Sequence, residues 1–255
     1  MDTKAYETFA RNEKNHFWFR GRRAVFFDMI RRHIAPHLPT NAHCFDLGCG
    51  VGGMLEALSE FGTATGMDID PDSLAFCRSR GFRNVFEGRG HQLPLQDNSI
   101  DLVGAFDVLE HIPEEAETIA ECYRILKPGG FLFLSGPAYQ FLYTHQDKMV
   151  HHQRRYTIGD ISKKFKRAGF DVVRSSYVNF LLFPIILPAV LWKKFRESIS
   201  PPTEEETRFN TDVYLPGFLN SLFCWLFSAE RYILRCVSAP TGHSLILIVR
   251  KPLES

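Results

Sequence analysis

The stretch FDLGCGVGG, Phe45 to Gly53, sets four glycines within six positions just after a carboxylate. A glycine-rich loop between a strand and a helix offers backbone N–H groups and a helix N-terminus to part of a nucleotide. The bare pattern Gly48-x-Gly50-x-x-Gly53 fits a dinucleotide loop, and it equally fits a turn that only tightens a corner. Asp46 separates these readings. It stands at the strand end, where it repels a pyrophosphate and attracts a cationic group. A second acid, Asp68, follows 22 residues later, at the end of the next predicted strand. There a carboxylate can accept both hydroxyls of an unphosphorylated ribose. S-Adenosylmethionine, with an ammonium, a sulfonium and no phosphate, satisfies both acids.

Two further stretches carry reactive side chains. DKMVHHQRRY, Asp147 to Tyr156, brings His151, His152, Arg154, Arg155 and Tyr156 together. Its arginines can hold an anionic part of a substrate bidentately, or serve a salt-bridged loop that orders the helix after it. His145 and Asp147 lie close by, but no i, i+4 pair or closed ligand set is visible, so no metal is expected. HFWFRGRR, His16 to Arg23, sets Trp18, Arg20, Arg22 and Arg23 on one predicted helix. Most of its aromatics fit a core face.

The elements that must position these residues follow a regular alternation. AHCFDL reads as a buried strand, GGMLEALSEF as a helix, TATGMDI as a strand and PDSLAFCRSR as a helix with Pro71 in its first turn. RNVFE and SIDLVGAFDV are the third and fourth strands, and PEEAETIAECYRIL is a helix with acids in its first turn. KPGG reads as a turn, GFLFLSG as a fifth strand, TIGDISKKFKRAGF as a helix ended by Gly169, DVVRSSYV as a sixth strand and SLILIVR as a seventh. Strands alternating with helices predict βαβ units and a Rossmann-like, seven-stranded, mostly parallel α/β sheet with helices on both faces. Residues 1–40 form an N-terminal helical cap, 41–178 the core, 179–241 an apolar helical insertion, and 242–255 the last strand and C-terminus.

This order of motifs resembles the class I S-adenosylmethionine-dependent methyltransferases of the small-molecule kind. FDLGCGVGG is similar to that family's first motif and GMDID to its second. GRGHQLPLQDNSIDLVGAFDVLEHI is similar to the third and fourth, and KPGGFLFLSGP to the fifth strand. The resemblance runs from about Ala42 to Gly136. It implies that Asp46, Gly48, Gly50, Asp68, Ile69, Gly90, His91, Gln92, Phe106, Asp107 and His111 bind the cofactor, with Ile69 stacking on the adenine. Arg89 stands where the family usually has an acid for the adenine amino group, so adenine recognition must rest more on backbone groups. His111, near the methyl group in the family picture, is the first candidate base or a loop-ordering histidine; His152 and Tyr156 are further catalytic candidates, and His151 a fallback. Glu110 is read as structural or cofactor-facing. N-terminal helices often cap the acceptor pocket in this family, so Trp18, Arg20, Arg22, Arg23, Arg154, Arg155 and Tyr156 are expected around an anionic group of the acceptor. The loop after the fourth strand lacks the Asn/Asp-Pro-Pro-aromatic tetrad used on planar amino groups, which argues against a nucleic-acid or protein-amide acceptor.

Composition bounds the partners. A formal net charge of +1 gives no reason to expect nucleic acid. Six cysteines without a CxxC pair, and a beginning without an apolar leader, fit reduced thiols in a cytoplasmic protein. From Ser175 to Trp192 the chain is uncharged, and Lys193, Lys194 and Arg196 follow. That run is shorter than the roughly 20 apolar residues of a bilayer span, and Asn179, Pro184 and Pro188 interrupt it. A second apolar run covers Val213 to Leu234. Together they predict a hairpin that is buried, pairs across a homodimer, or makes a weak peripheral contact at the inner membrane face. The expected activity is transfer of a methyl group to an oxygen of a small or lipid-linked acceptor. The alternatives are a nucleotide-dependent oxidoreductase and a non-catalytic S-adenosylmethionine-binding module with a partner-docking insertion.

Overall fold

The computed structural model describes residues 3–200 and 215–253. The expected polar loop SPPTEEETRFN falls almost wholly outside them. Strands β1 (Ala42–Leu47), β4 (Ile100–Phe106) and β7 (Ser244–Arg250) are buried along nearly their whole length. Near-continuous apolar runs of this kind belong to strands covered on both faces. With β2 (Gly62–Asp68), β3 (Val85–Glu87), β5 (Leu126–Pro137) and β6 (Asp171–Val178) they make one sheet, in the order β3-β2-β1-β4-β5-β7-β6. The β3-β2-β1-β4-β5 pairs are parallel, and β7 runs antiparallel between β5 and β6. The mostly parallel seven-stranded sheet predicted from the alternation is therefore present. After β3 the chain crosses back to place β4 on the other side of β1, so the switch point lies between β1 and β4. Ligands of such sheets bind outside the strand carboxyl ends at that point.

The expected KPGG turn is instead a bulge within β5. Ile100 faces Leu126, but Leu102 faces Phe131, and Gly129 takes the left-handed φ of +83° that the bulge requires. Helices α3 (Gly53–Leu58), α4 (Pro71–Ser79), α5 (Glu115–Ile125), α6 (His145–Met149) and α7 (Ile158–Arg167) fill the connections.

Helix α1 (Thr3–Asn15) leads into α2 (Phe17–His33), which His16 caps by accepting the Trp18 N–H. The α2 residues Val25, Phe26, Met29 and Ile30 are buried, and Phe26 lies 5.4 Å from Phe133 of the sheet. The insertion departs from the predicted hairpin. Helix α9 (Gly217–Leu234) packs chiefly along α2, where Gly21 allows a close approach: a β-carbon there would lie 2.6 Å from Phe227. Helix α8 (Phe183–Ile199) instead sits by the short 3-10 turn at Gln140–Leu142 and beside α6. Each finds its own partner because the buried stripe of α9 (Phe227, Glu230, Leu234) faces the core, whereas α8 buries only Phe183. Two of the basic residues after the first apolar run are hydrogen-bonded within the chain: Lys193 donates to Gln146 Oε1 at 3.1 Å, and the exposed Lys194 to the Phe141 carbonyl at 2.8 Å. Among the described residues, no helix is long and apolar enough to cross a membrane.

Candidate active site

The loop after β1 depends on its glycines. Gly48, Gly50 and Gly52 have φ of +74°, +51° and +88°, and a side chain at Gly48 would strike Val108. Two backbone N–H groups, of Gly48 and Cys49, donate to the Met67 carbonyl at 2.8 and 2.9 Å. The Gly50 N–H donates to Asp68 Oδ2 at 2.8 Å, and the Asp70 N–H to Asp68 Oδ1 at 2.9 Å. Asp68 therefore holds the glycine loop as well as standing at the end of β2. Asp46 is buried, and its Oδ2 has no hydrogen-bond partner. Burial and then the neighbouring Asp68 push its carboxyl well above the usual carboxylate range. A buried acid without a counter-charge suits a ligand that brings a cation.

Two cavities meet over this loop. The first, about 480 Å³, is lined by Asp68, Ile69, Gly90 and His91. Ile69 is 57% exposed, free to cover a planar ring. The second, about 530 Å³, is lined by Asp46, Gly50, Phe106, Trp18, Arg22 and Glu110, among others. Gly48, Asp107 and His111 line both. S-Adenosylmethionine fits this arrangement: Asp68 and Ile69 can take its adenosine, and the orphaned Asp46 carboxyl its ammonium. Gln92 lies away from the cleft, because the turn that pairs it with Arg89 sends it to solvent. Arg89 does line the first cavity.

The second cavity differs from the basic acceptor site predicted above. Arg22 lines it but pairs with Asp107. Arg155 lines it too, yet its Nε and Nη2 hold Asp147 bidentately at 2.8 and 3.0 Å. Arg154 pairs with Glu115 at 3.4 Å, outside the cavity. Arg20 and Arg23 line a separate groove with Glu13, Glu56 and Glu60, and Arg23 donates to the Gly53 carbonyl. Tyr156 is buried beneath Gly136, with its ring about 3.3 Å from where a β-carbon would stand. The arginines fail to gather because Arg22, Arg154 and Arg155 are each taken by an acid from another element, while Arg20 and Arg23 face the separate groove.

The histidines do gather. The rings of His111 and His152 stand edge to face, 4.6 Å between centroids. His152 Nδ1 contacts Asp147 Oδ1 at 2.8 Å. Burial works against Asp147, but the contacts from His152 and Arg155 hold its carboxyl well below the usual range. Burial, then His152, pushes His111 down to about 4, so its imidazole is neutral near pH 7. Glu110 is 1% exposed, and burial followed by Asp107 pushes its carboxyl well above the usual range. His151 takes a left-handed φ of +62° in the preceding turn and does not line the cavity. Three residues of this site were not singled out from the sequence. Asp147 was readable only as a neighbour of HHQRRY. Glu110 read as structural or cofactor-facing and not as part of an acceptor site. His243 comes from the turn before β7 and carried no signal.

Comparison with known proteins agrees with this geometry. Residues 45–134 match the methyltransferase-domain family. A protein of Mycolicibacterium smegmatis described as a probable S-adenosylmethionine-dependent methyltransferase is 28% identical over 163 residues, covering 62% of this chain and 61% of that one. The ubiquinone biosynthesis O-methyltransferase of Pseudomonas aeruginosa is 35% identical over 97 residues, 35% of this chain and 42% of that one. The chain thus spans about three-fifths or less of the length of these curated relatives. The solved S-adenosylmethionine-dependent methyltransferase from Archaeoglobus fulgidus superposes with a TM-score of 0.59 at 19% identity, covering 96% of this chain and 99% of that one. Five ordered motifs, the strand order and these likenesses meet on one conclusion: residues 45–134 match a methyltransferase domain, the fold is that of solved S-adenosylmethionine-dependent methyltransferases, and this likeness implies S-adenosylmethionine as the cofactor.

Proposed function

We propose that this protein methylates an oxygen atom of a small or lipid-linked acceptor. The observation that carries the reading is the seam at Gly48, Asp107 and His111, where the cofactor cavity opens into a second cavity of similar size. When bound, S-adenosylmethionine supplies an activated methyl carbon and a thioether leaving group. The chain's share of the work is to align the acceptor and to exclude water. Trp18, Phe19 and Phe106 give the second cavity apolar walls. His111 offers a neutral ring where the acceptor oxygen must stand, and His152, backed by Asp147, is placed to take up a proton. The oxygen preference is supported by the name of the P. aeruginosa relative, an O-methyltransferase.

The test is incubation with S-adenosylmethionine labelled in its methyl group, together with aqueous and lipid extracts of cells. Label in a single acid-stable methyl ether is the expected result. Cofactor binding with no transfer to either extract favours a non-catalytic binding module. Calorimetry showing NAD(H) binding in place of S-adenosylmethionine restores the oxidoreductase alternative.

A further inference from the structure

Three side chains of the acceptor cavity do more together than a proton acceptor needs. Glu110, His111 and His152 each offer one ligand atom, and these atoms lie within 4.8 Å of one another. Glu110 is 1% exposed and its Oε2 has no hydrogen-bond partner. The nearest arginines are committed elsewhere, Arg22 to Asp107 and Arg155 to Asp147. His152 uses Nδ1 against Asp147 Oδ1, at 2.8 Å, which leaves Nε2 as its free ring nitrogen. The Val150 backbone carbonyl likewise engages the His111 ring. A carboxylate or a carbonyl behind each imidazole is how proteins orient histidines that ligate metals.

We propose that Glu110, His111 and His152 form a site for a divalent transition-metal ion. Two imidazoles and one carboxylate are a ligand set of catalytic zinc, which leaves a further position open. Movements of up to roughly 0.8 Å bring the three atoms to bonds of roughly 2.1 Å in a tetrahedral arrangement. All three residues line the 530 Å³ cavity, so the open position faces the acceptor. An ion there would anchor the acceptor oxygen and acidify its hydroxyl, whose proton would pass to solvent in place of His152, then a ligand. This role, though not the binding itself, rests on the methyl-transfer reading. The segment bearing His152 is tied to Glu110 by the Gln153 N–H, which donates to the Glu110 carbonyl at 2.8 Å, so the site is assembled without the ion.

The test uses the tag-free full chain, stripped with a chelator and titrated with Co²⁺ while visible spectra are recorded. Uptake of Zn²⁺ is followed by calorimetry. One equivalent with ligand-field bands is expected, and Glu110→Gln or His152→Asn should each weaken uptake at least about ten-fold. Circular dichroism melts report whether each variant folds. Should Glu110→Gln fail to fold, His152→Asn, at a loop position, carries the test. No uptake by the wild-type chain, or undiminished uptake by a folded His152→Asn variant, overturns the site. Methyl transfer by a chain that takes up no metal sinks this inference alone. Metal uptake without methyl transfer keeps the site and sinks its role.

Discussion

Asp46 and Asp68 lie within one loop's width of each other, yet their environments give opposite predictions. Asp68 is satisfied: it accepts from the N–H groups of Gly50 and Asp70. Asp68→Ala should therefore weaken S-adenosylmethionine binding by about 1–3 kcal/mol and also lower the melting temperature, since loop and ribose lose the same acceptor. Asp46 is unsatisfied in the free protein. Asp46→Asn should leave the melting temperature unchanged or raised while cofactor affinity falls. A calorimetric titration beside a thermal melt checks both, and an Asp46→Asn variant that melts early and binds normally contradicts the cofactor assignment. At this scale the sequence was legible where chemistry and local spacing coincide, as in Gly48, Gly50, Asp46 and Asp68. It was not legible where a side chain's meaning is set by a distant partner. Arg155 looks available in HHQRRY until Asp147 occupies it, and nothing near His243 indicates that it reaches the acceptor cavity.

At the scale of elements, the buried strands were readable because a strand covered on both faces needs an unbroken apolar run, as in AHCFDL and SLILIVR. The insertion was not. Its apolar runs announce burial without naming the partner, and contacts such as Gly21 with Phe227 and the Phe17 N–H with Asn220 Oδ1 show that α9 belongs to α2. Glu230 adds a second tie. It is fully buried and accepts the Asn179 N–H at 2.6 Å and the Leu181 N–H at 2.8 Å, joining α9 to the end of β6. Burial outweighs these bonds and pushes its carboxyl up to about 7. A raised carboxyl binds its proton more tightly in the folded chain than in the unfolded one. Its contribution is therefore complete below the unfolded value near 4.3 and is lost as pH rises through 7, by about 4 kcal/mol at most. Melting curves between pH 5 and pH 8 should show the wild type losing stability relative to Glu230→Gln. Parallel curves would show that Glu230 does not titrate in that window.

For the whole molecule, α8 and α9 leave aromatic surface uncovered: Trp192 is 64% exposed and Trp225 is 65% exposed, with Phe195 and Phe218 beside them in sequence. The weak membrane contact expected from the apolar runs predicts that this surface carries any binding to anionic vesicles. Since Lys193 and Lys194 are engaged in hydrogen bonds within the chain, the contact should depend more on the tryptophans than on charge. Vesicle sedimentation should fall more with Trp192→Ser and Trp225→Ser than with Lys193→Glu, and salt should reverse it only in part. A chain that ignores vesicles yet elutes as a dimer, and becomes a monomer with the same Trp substitutions, makes the surface a contact between two copies.

The antiparallel strand β7 has a consequence in time. It enters between β5 and β6, and the turn before it brings His243 and Ser244 to the acceptor cavity. During synthesis, the cofactor-binding loop, both acids and the β1–β4 crossover are complete well before these residues exist. Until residue 250 has been made, β5 and β6 cannot join through β7, and one wall of the acceptor cavity is missing. The residues around the methyl donor are thus laid down early, and the wall that His243 and Ser244 give the acceptor cavity is added last.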